Sequence, residues 1–179
     1  MKNILIVEGS VRNGRIADKI MEIVQAAAAK FDNVHVQVAD LKDVNLPFFD
    51  QPVSPSNWTE TPDIPELKKW EKLVSESDGV LLVTPEYNSS TSAVLKNAID
   101  WLYTPWKDKP VALVGYGWDG AVVGRKHLND IMNRLKSKLV PVETGLAFTK
   151  DIDLEGKAIS EDAKKAVEET ITSLLQTIG

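Results

Sequence analysis

The first of three chemically informative loops carries residues that suit a phosphate group. An apolar, strand-like run leads directly into Gly9-Ser10-Val11-Arg12-Asn13-Gly14-Arg15. The hydroxyl of Ser10 can donate to a phosphate oxygen, and the guanidinium groups of Arg12 and Arg15 can each hold two oxygens. Backbone N–H groups of residues 12–16, including that of Ile16, point from a helix start toward the same anion. The alternative is that the glycines serve a tight turn and the arginines are solvated.

The same loop lacks the signatures of two common nucleotide sites. No Gly-Lys-Ser/Thr follows the first glycine, so the loop is not a Walker A motif. The spacing of its glycines also differs from the GxGxxG fingerprint of dinucleotide-binding domains. Nucleotide hydrolysis is therefore poorly supported.

A second loop, Thr84 to Ser90, follows another apolar run and suits a flat polar ring. Pro85 has no N–H and a fixed φ, so the chain leaves the sheet there and the next N–H groups become free to bind a ligand. Tyr87 offers an aromatic surface, and Asn88 can both donate and accept. Glu86 is a candidate general base, although a single loop carboxylate more commonly is solvated or stabilises a turn.

A third loop, Gly115 to Gly120, follows a further apolar run and opens the next helix. Backbone N–H groups around Gly117, Trp118 and Gly120 would stabilise negative charge on a reduced ring, and the alternative is a glycine-rich turn with an exposed tryptophan. Together the loops suit an elongated ligand with a phosphate tail and a flat head, for which FMN is the leading hypothesis. The two histidines have no partners at metal or triad spacing, so no metal site is predicted.

Apolar runs alternate with helical patterns along the chain, which favours a parallel sheet covered by helices on both faces. The predicted strands are Ile4–Val7, Val34–Val38, Val80–Val83, Val111–Gly115 and a last one within Val140–Phe148. Residues 1–179 are predicted to form a single α/β domain, a flavodoxin-like three-layer sandwich. Its five-stranded sheet would have the order 2-1-3-4-5, which places strands 1 and 3 side by side where ligands bind.

Helical spacing of apolar residues predicts the flanking helices. The periodic sets are Ile16, Ile20, Ile23, Val24 and Ala27; Leu67, Trp70 and Val74; Val94, Ala98 and Trp101; and Leu128, Ile131, Met132, Leu135 and Leu139. The 94–101 stripe fits either core or a subunit contact. A final helix is expected to begin at Ser160 as its N-cap. The proline-rich segment 46–65 is expected to pack on its own domain or on a partner subunit.

Composition excludes several functional classes. The net charge of −5 and the pI near 5.1 disfavour a nucleic-acid partner. The absence of cysteine excludes thiol catalysis, structural disulfides and cysteine-ligated iron–sulfur clusters. No apolar run approaches the ~20 residues that span a bilayer, and the N-terminus lacks a signal-peptide pattern. We therefore expect no membrane partner and a cytoplasmic location.

The first two loops together resemble the NADPH-dependent FMN reductase family, which includes quinone, azo-dye and chromate reductases. Residues 9–15 are similar to its Gly-Ser-x-Arg phosphate loop. Residues 85–88, followed by Leu95-Lys96-Asn97-Ala98-Ile99-Asp100-Trp101, are similar to its flavin-contact signature. The likeness extends from Ile4 to about Val142 and is weaker beyond.

The resemblance implies a flavodoxin-like fold that binds FMN noncovalently as a homodimer or homotetramer. By position, Ser10, Arg12 and Arg15 would hold the phosphate, and residues 85–88 would contact the ring and ribityl chain. Gly117, Trp118 and Gly120 would lie near the pyrimidine end of the ring. The chain departs from the family in having Ser92-Ala93 before the Leu-Lys-Asn helix and Trp118 in a loop that is usually richer in glycine, which leaves the shape of the acceptor pocket open.

The predicted activity is an FMN-dependent NAD(P)H:acceptor oxidoreductase. Hydride would pass from NADPH or NADH to flavin N5 and then to a flavin, quinone, azo compound or metal oxyanion in a ping-pong cycle. Because the flavin carries the chemistry, no catalytic side chain is predicted. One alternative is a flavodoxin-type single-electron carrier, and another is a non-enzymatic protein that binds a different phosphorylated ligand.

Overall fold

The computed structural model describes all 179 residues and contains one parallel sheet between two layers of helices. The strands are β1 (Lys2–Glu8), β2 (Val34–Asp40), β3 (Gly79–Pro85), β4 (Pro110–Gly117), β5 (Lys138–Leu139) and β6 (Thr144–Ala147). The helices are α1 (Ala17–Ala28), α2 (Leu41–Val44), α3 (Pro65–Glu76), α4 (Ala93–Asp100), α5 (Val122–Arg134) and α6 (Glu161–Ile178). Short 3₁₀ turns lie at Pro55–Asn57 and Thr104–Trp106.

The central strands are apolar along their whole length because both of their faces are covered. Successive side chains of β1 alternate, so that Leu5 and Val7 join one apolar cluster while Ile4 and Ile6 join the other. All seven residues of β3 are buried. These two clusters on opposite sides of the sheet confirm the predicted three-layer α/β architecture.

The strand order β2-β1-β3-β4-β5 confirms the predicted order, but the far edge of the sheet differs from the prediction. The strand predicted within 140–148 is β6, and an additional short strand, β5, precedes that range; both pair with β4, so the sheet has six strands. Pro141 lies between them and has no N–H for a ladder. Leu139 belongs to β5 and not to the preceding helix, because Lys136 takes a left-handed φ of 62° after α5 ends.

The segment 46–65 packs against its own domain and covers the apolar stripe of α4. Phe49 and Trp58 contact Trp101, with ring centroids 5.0 and 6.2 Å from it, respectively. Asn97 donates to the carbonyl of Pro47 and accepts from the N–H of Phe49. The apolar stripe of α4 therefore belongs to the core, the first of the two alternatives that its spacing allowed.

Helix α6 begins as predicted, with the hydroxyl of Ser160 accepting from the N–H of Ala163. It buries Val167, Ile171 and Leu174 against the sheet. No helix in the structure combines the length and the apolar character that crossing a membrane requires.

Candidate functional site

The three loops singled out in the sequence meet at the carboxyl ends of β1, β3 and β4. These strands are neighbours in the sheet, so the loops that follow them enclose one cavity of about 540 Å³. This position is the one at which parallel α/β sheets bind ligands. The cavity is lined by Ser10, Arg12, Gly14, Arg15, Ile16, Pro85, Glu86, Tyr87, Tyr116, Gly117, Trp118, Asp119, Phe148 and Leu154.

The end of the cavity beside the first loop has the composition of an anion site. The hydroxyl of Ser10 lies 2.9 Å from that of Tyr87, and the exposed guanidinium of Arg12 lies 5.6 Å from the centre of the Tyr87 ring. The backbone N–H groups of residues 10–14 bond to no other group of the protein. Helix α1 likewise has no side-chain cap at its N-terminus. Free N–H groups beside a helix N-terminus and an arginine suit a phosphate.

Arg15 lines the same end, but its guanidinium is already bonded within the protein. In the register of the sheet, Glu8 at the end of β1 lies beside Asp40 at the end of β2. Arg15 lies between these like charges, with Nη1 2.9 Å from an Asp40 oxygen and Nε 2.9 Å from a Glu8 oxygen. It also pairs with Asp18 and donates to the carbonyl of Ser10. Arg15 thus ties the phosphate loop to the ends of two strands.

Glu8 is an incompletely satisfied carboxylate beneath this loop. Its residue is only 4% exposed, and its Oε1 accepts no hydrogen bond despite the nearby Arg15 Nε, whose N–H is directed at Asp18. Burial raises the pKa of Glu8 to about 7, while the charge of Arg15 opposes that rise. Glu8 consequently titrates close to neutral pH.

The Glu8→Gln variant is expected to gain stability relative to the wild type as pH rises. The ordinary pKa of this carboxyl is 4.5, so between 4.5 and about 7 the unfolded chain loses a proton that the folded chain keeps. Wild-type stability therefore falls through this window, while the variant has no such contribution. Urea unfolding at about pH 5 and about pH 8 should show the difference growing by roughly 1–3 kcal/mol. Parallel pH profiles for the two proteins would contradict the burial cost assigned to Glu8.

The other end of the cavity is apolar and aromatic. Trp118 packs edge-on against Phe148, with ring centroids 5.4 Å apart at an interplanar angle of 75°. Leu154 lines the same cavity and is 62% exposed. Tyr116 is buried at the end of β4, and burial raises the pKa of its hydroxyl well above the ordinary value, so this hydroxyl stays protonated at neutral pH.

The backbone of the third loop is held by close contacts. The carbonyl of Gly117 accepts from the N–H groups of Phe148 and Gly120. Gly120 has a φ of +70°, and a Cβ there would lie 2.8 Å from the backbone carbon of Gly145. Gly120 is therefore needed for the loop to approach β6, although it does not itself line the cavity.

Two residues of the second loop have structural positions that the sequence left open. The carboxylate of Glu86 accepts from the N–H of Gly124, at 2.9 Å, in the first turn of α5. This bond stabilises the start of the helix and favours the turn-stabilising alternative over the general base. Asn88 takes a left-handed φ of 48° and lies outside the cavity lining.

Sequence reasoning missed Tyr116, Phe148 and Leu154 as lining residues. Tyr116 and Phe148 follow the rule that ligands contact residues at the carboxyl ends of strands, which is the signal that would have found them. Leu154 comes from a connection after β6 for which the sequence offers no marker. Ser92 was also missed, since it both caps α4 and donates to the carbonyl of Gly9 at the base of the first loop.

The residues of this cavity fit FMN. Its volume is in the range of small-molecule sites, roughly 300–1,000 Å³. One end presents free N–H groups, a hydroxyl and a guanidinium for a phosphate, and the other presents aromatic side chains for a flat ring. A cavity of this kind on a flavodoxin-like sheet is typical of flavoproteins.

Comparison with known families agrees with this geometry. The family model described as NADPH-dependent FMN reductase matches residues 2–151. The chain belongs to the NADPH-dependent FMN reductase family. Membership of this family confirms the prediction of an oxidoreductase that uses FMN and NAD(P)H.

Individual relatives carry the same description. An NAD(P)H-dependent FMN reductase of Schizosaccharomyces pombe is 31% identical over 153 residues, which are 86% of this chain and 76% of the relative. A 2-hydroxy-1,4-benzoquinone reductase of a Burkholderia species is 35% identical over 114 residues, 58% of this chain and 62% of that one. Among solved structures, the flavoenzyme NAD(P)H:(acceptor) oxidoreductase FerB of Paracoccus denitrificans has a TM-score of 0.77. The alignment covers 99% of this chain and 97% of the FerB chain at 24% sequence identity, and it supports the fold.

Proposed function

We propose that this protein reduces a small-molecule acceptor with electrons from NAD(P)H, using FMN bound in the cavity at the ends of β1, β3 and β4. The observation that carries the proposal is the pairing of a phosphate end and an aromatic end within this one cavity. Bound FMN supplies hydride acceptance from the nicotinamide and hydride transfer to the acceptor. The chain supplies positioning and electrostatics.

Ser10, Arg12 and the free N–H groups of the first loop would bind the phosphate, and Arg15 would hold that loop in place. The chain from Pro85 to Tyr87 would lie along the ring, with the N–H groups after Gly117 near its polar edge. The N-terminus of α5 adds a positive partial charge on the same side. No side chain is required as an acid or base, because the flavin carries the chemistry and Glu86 already caps α5.

The cavity opens to solvent at Trp118 and Leu154, which are 74% and 62% exposed. Donor and acceptor would enter by the same opening in turn, which supports a ping-pong cycle. The quinone reductase among the relatives supports an organic acceptor. A homodimer or homotetramer and a cytoplasmic location stay predictions.

Anaerobic titration of the FMN-loaded protein with NADPH, or with NADH, tests this function. One equivalent of donor should bleach the flavin absorbance in a single two-electron transition. Reduction in two resolved one-electron steps, reached only with a chemical reductant, would instead favour the electron carrier. Failure to bind FMN at all would favour the protein that binds another phosphorylated ligand.

A further inference from the structure

Trp118 is the least buried of the aromatic side chains that line the cavity. Its residue is 74% exposed, whereas Tyr116 beside it in the chain is 4% exposed. Its backbone is nevertheless held on both sides, because the carbonyl of Gly117 accepts two hydrogen bonds and Gly120 packs closely against Gly145. A large apolar ring exposed on a well-held loop is typical of a binding surface.

The contacts of Trp118 leave most of the indole uncovered. Phe148 meets it nearly perpendicularly, at 75° and 5.4 Å between centroids, so the contact is between an edge and a face. No other aromatic ring of the protein stacks on it. The indole is thus braced on one side and remains available to a flat molecule in the cavity mouth.

The charges around this mouth differ from those at the phosphate end. Both arginines of the lining belong to the first loop, where Arg15 is bonded to Ser10 and Arg12 lies over Tyr87. The charged lining residues of the other loops are the carboxylates Glu86 and Asp119. An anion in the mouth would meet like charge, whereas an uncharged ring would not.

We infer that Trp118 determines acceptor specificity, acting as a stacking surface for uncharged planar acceptors and disfavouring anionic, non-planar ones. This inference rests on the proposed reductase function and adds the acceptor class that the site selects. In this proposal the backbone of the third loop contacts FMN, whereas the indole of Trp118 contacts the second substrate, the acceptor.

The test compares Trp118→Ala and Trp118→Phe with Phe48→Ala, a control that removes an equally exposed aromatic outside the cavity, at 78% exposure. Binding of menadione, an uncharged planar quinone, to the oxidised FMN-loaded proteins is measured by calorimetry without any NAD(P)H. Loss of one aromatic contact predicts a Kd for menadione raised about two- to tenfold in Trp118→Ala. Trp118→Phe should recover most of the affinity, and Phe48→Ala should match the wild type.

Steady-state assays with ferricyanide, an anionic and non-planar acceptor, complete the test. The ratio of the KM for menadione to the KM for ferricyanide should rise in Trp118→Ala relative to the wild type. Unchanged menadione binding in Trp118→Ala would overturn the inference, as would an equal loss in Phe48→Ala. Because the calorimetry needs no turnover, a wild type that binds menadione but cannot be reduced by NAD(P)H would refute the proposed function separately.

Discussion

The Arg15→Met variant is expected to lose about 3 kcal/mol of unfolding free energy, because removing one partner leaves buried carboxylates without compensation. The Arg15 side chain is 11% exposed, and those of Glu8 and Asp40 are 6% and 18% exposed. Parallel pairing places these two carboxylates side by side, so without the guanidinium they repel. Urea unfolding at about pH 8, above the pKa of Glu8, measures the loss.

Two further variants make that result specific. Arg12→Met removes an exposed arginine three positions earlier and should change stability by no more than about 0.5 kcal/mol. Adding Glu8→Gln to Arg15→Met should recover part of the loss, since one of the uncompensated charges is then absent. Equal stability of Arg15→Met and Arg12→Met would contradict the structural role given to Arg15.

The Arg12→Ala variant is expected to bind FMN about ten- to a hundredfold more weakly, because a charge-assisted hydrogen bond is worth roughly 1.5–3 kcal/mol. Arg12 is the arginine of the first loop that has no carboxylate partner in the structure. Its guanidinium lies over the Tyr87 ring, within the same cavity as Ser10. Fluorescence titration of the apoprotein with FMN measures the change in Kd.

Riboflavin, which lacks the phosphate, provides the matched ligand. Its Kd should be the same for the wild type and Arg12→Ala, because the lost interaction is with the phosphate alone. Unchanged FMN affinity would remove Arg12 from the site. An equal loss of riboflavin affinity would place Arg12 against the ring or ribityl chain instead.

The central sheet and the meeting of the three loops could be predicted because both follow from local patterns. Continuous apolar runs identified β1, β3 and β4, and the topology of parallel sheets brought their carboxyl ends together. The loop residues followed directly from their position after each run. The far edge was harder, since the two-residue strand β5 lies outside the predicted range, which contains only β6.

The partners of Arg15 could not be predicted in the same way. Glu8 and Asp40 lie 32 positions apart in the sequence and become neighbours only through the register of β1 and β2. Until that register is known, nothing in the sequence distinguishes Arg15 from Arg12, because both are arginines of the first loop. The capping role of Glu86 depends likewise on where α5 begins. Ala121, the residue just before this helix, has a left-handed φ and sets that start.

The central claim, that the cavity holds FMN for hydride transfer from NAD(P)H, is tested most directly by anaerobic stopped-flow absorbance. FMN-loaded protein is mixed with NADPH and, separately, with NADH, and the flavin band is followed in time. We expect bleaching in one two-electron phase, faster with the preferred donor, followed by recovery when a quinone is added. Bound flavin that neither donor bleaches would contradict the claim.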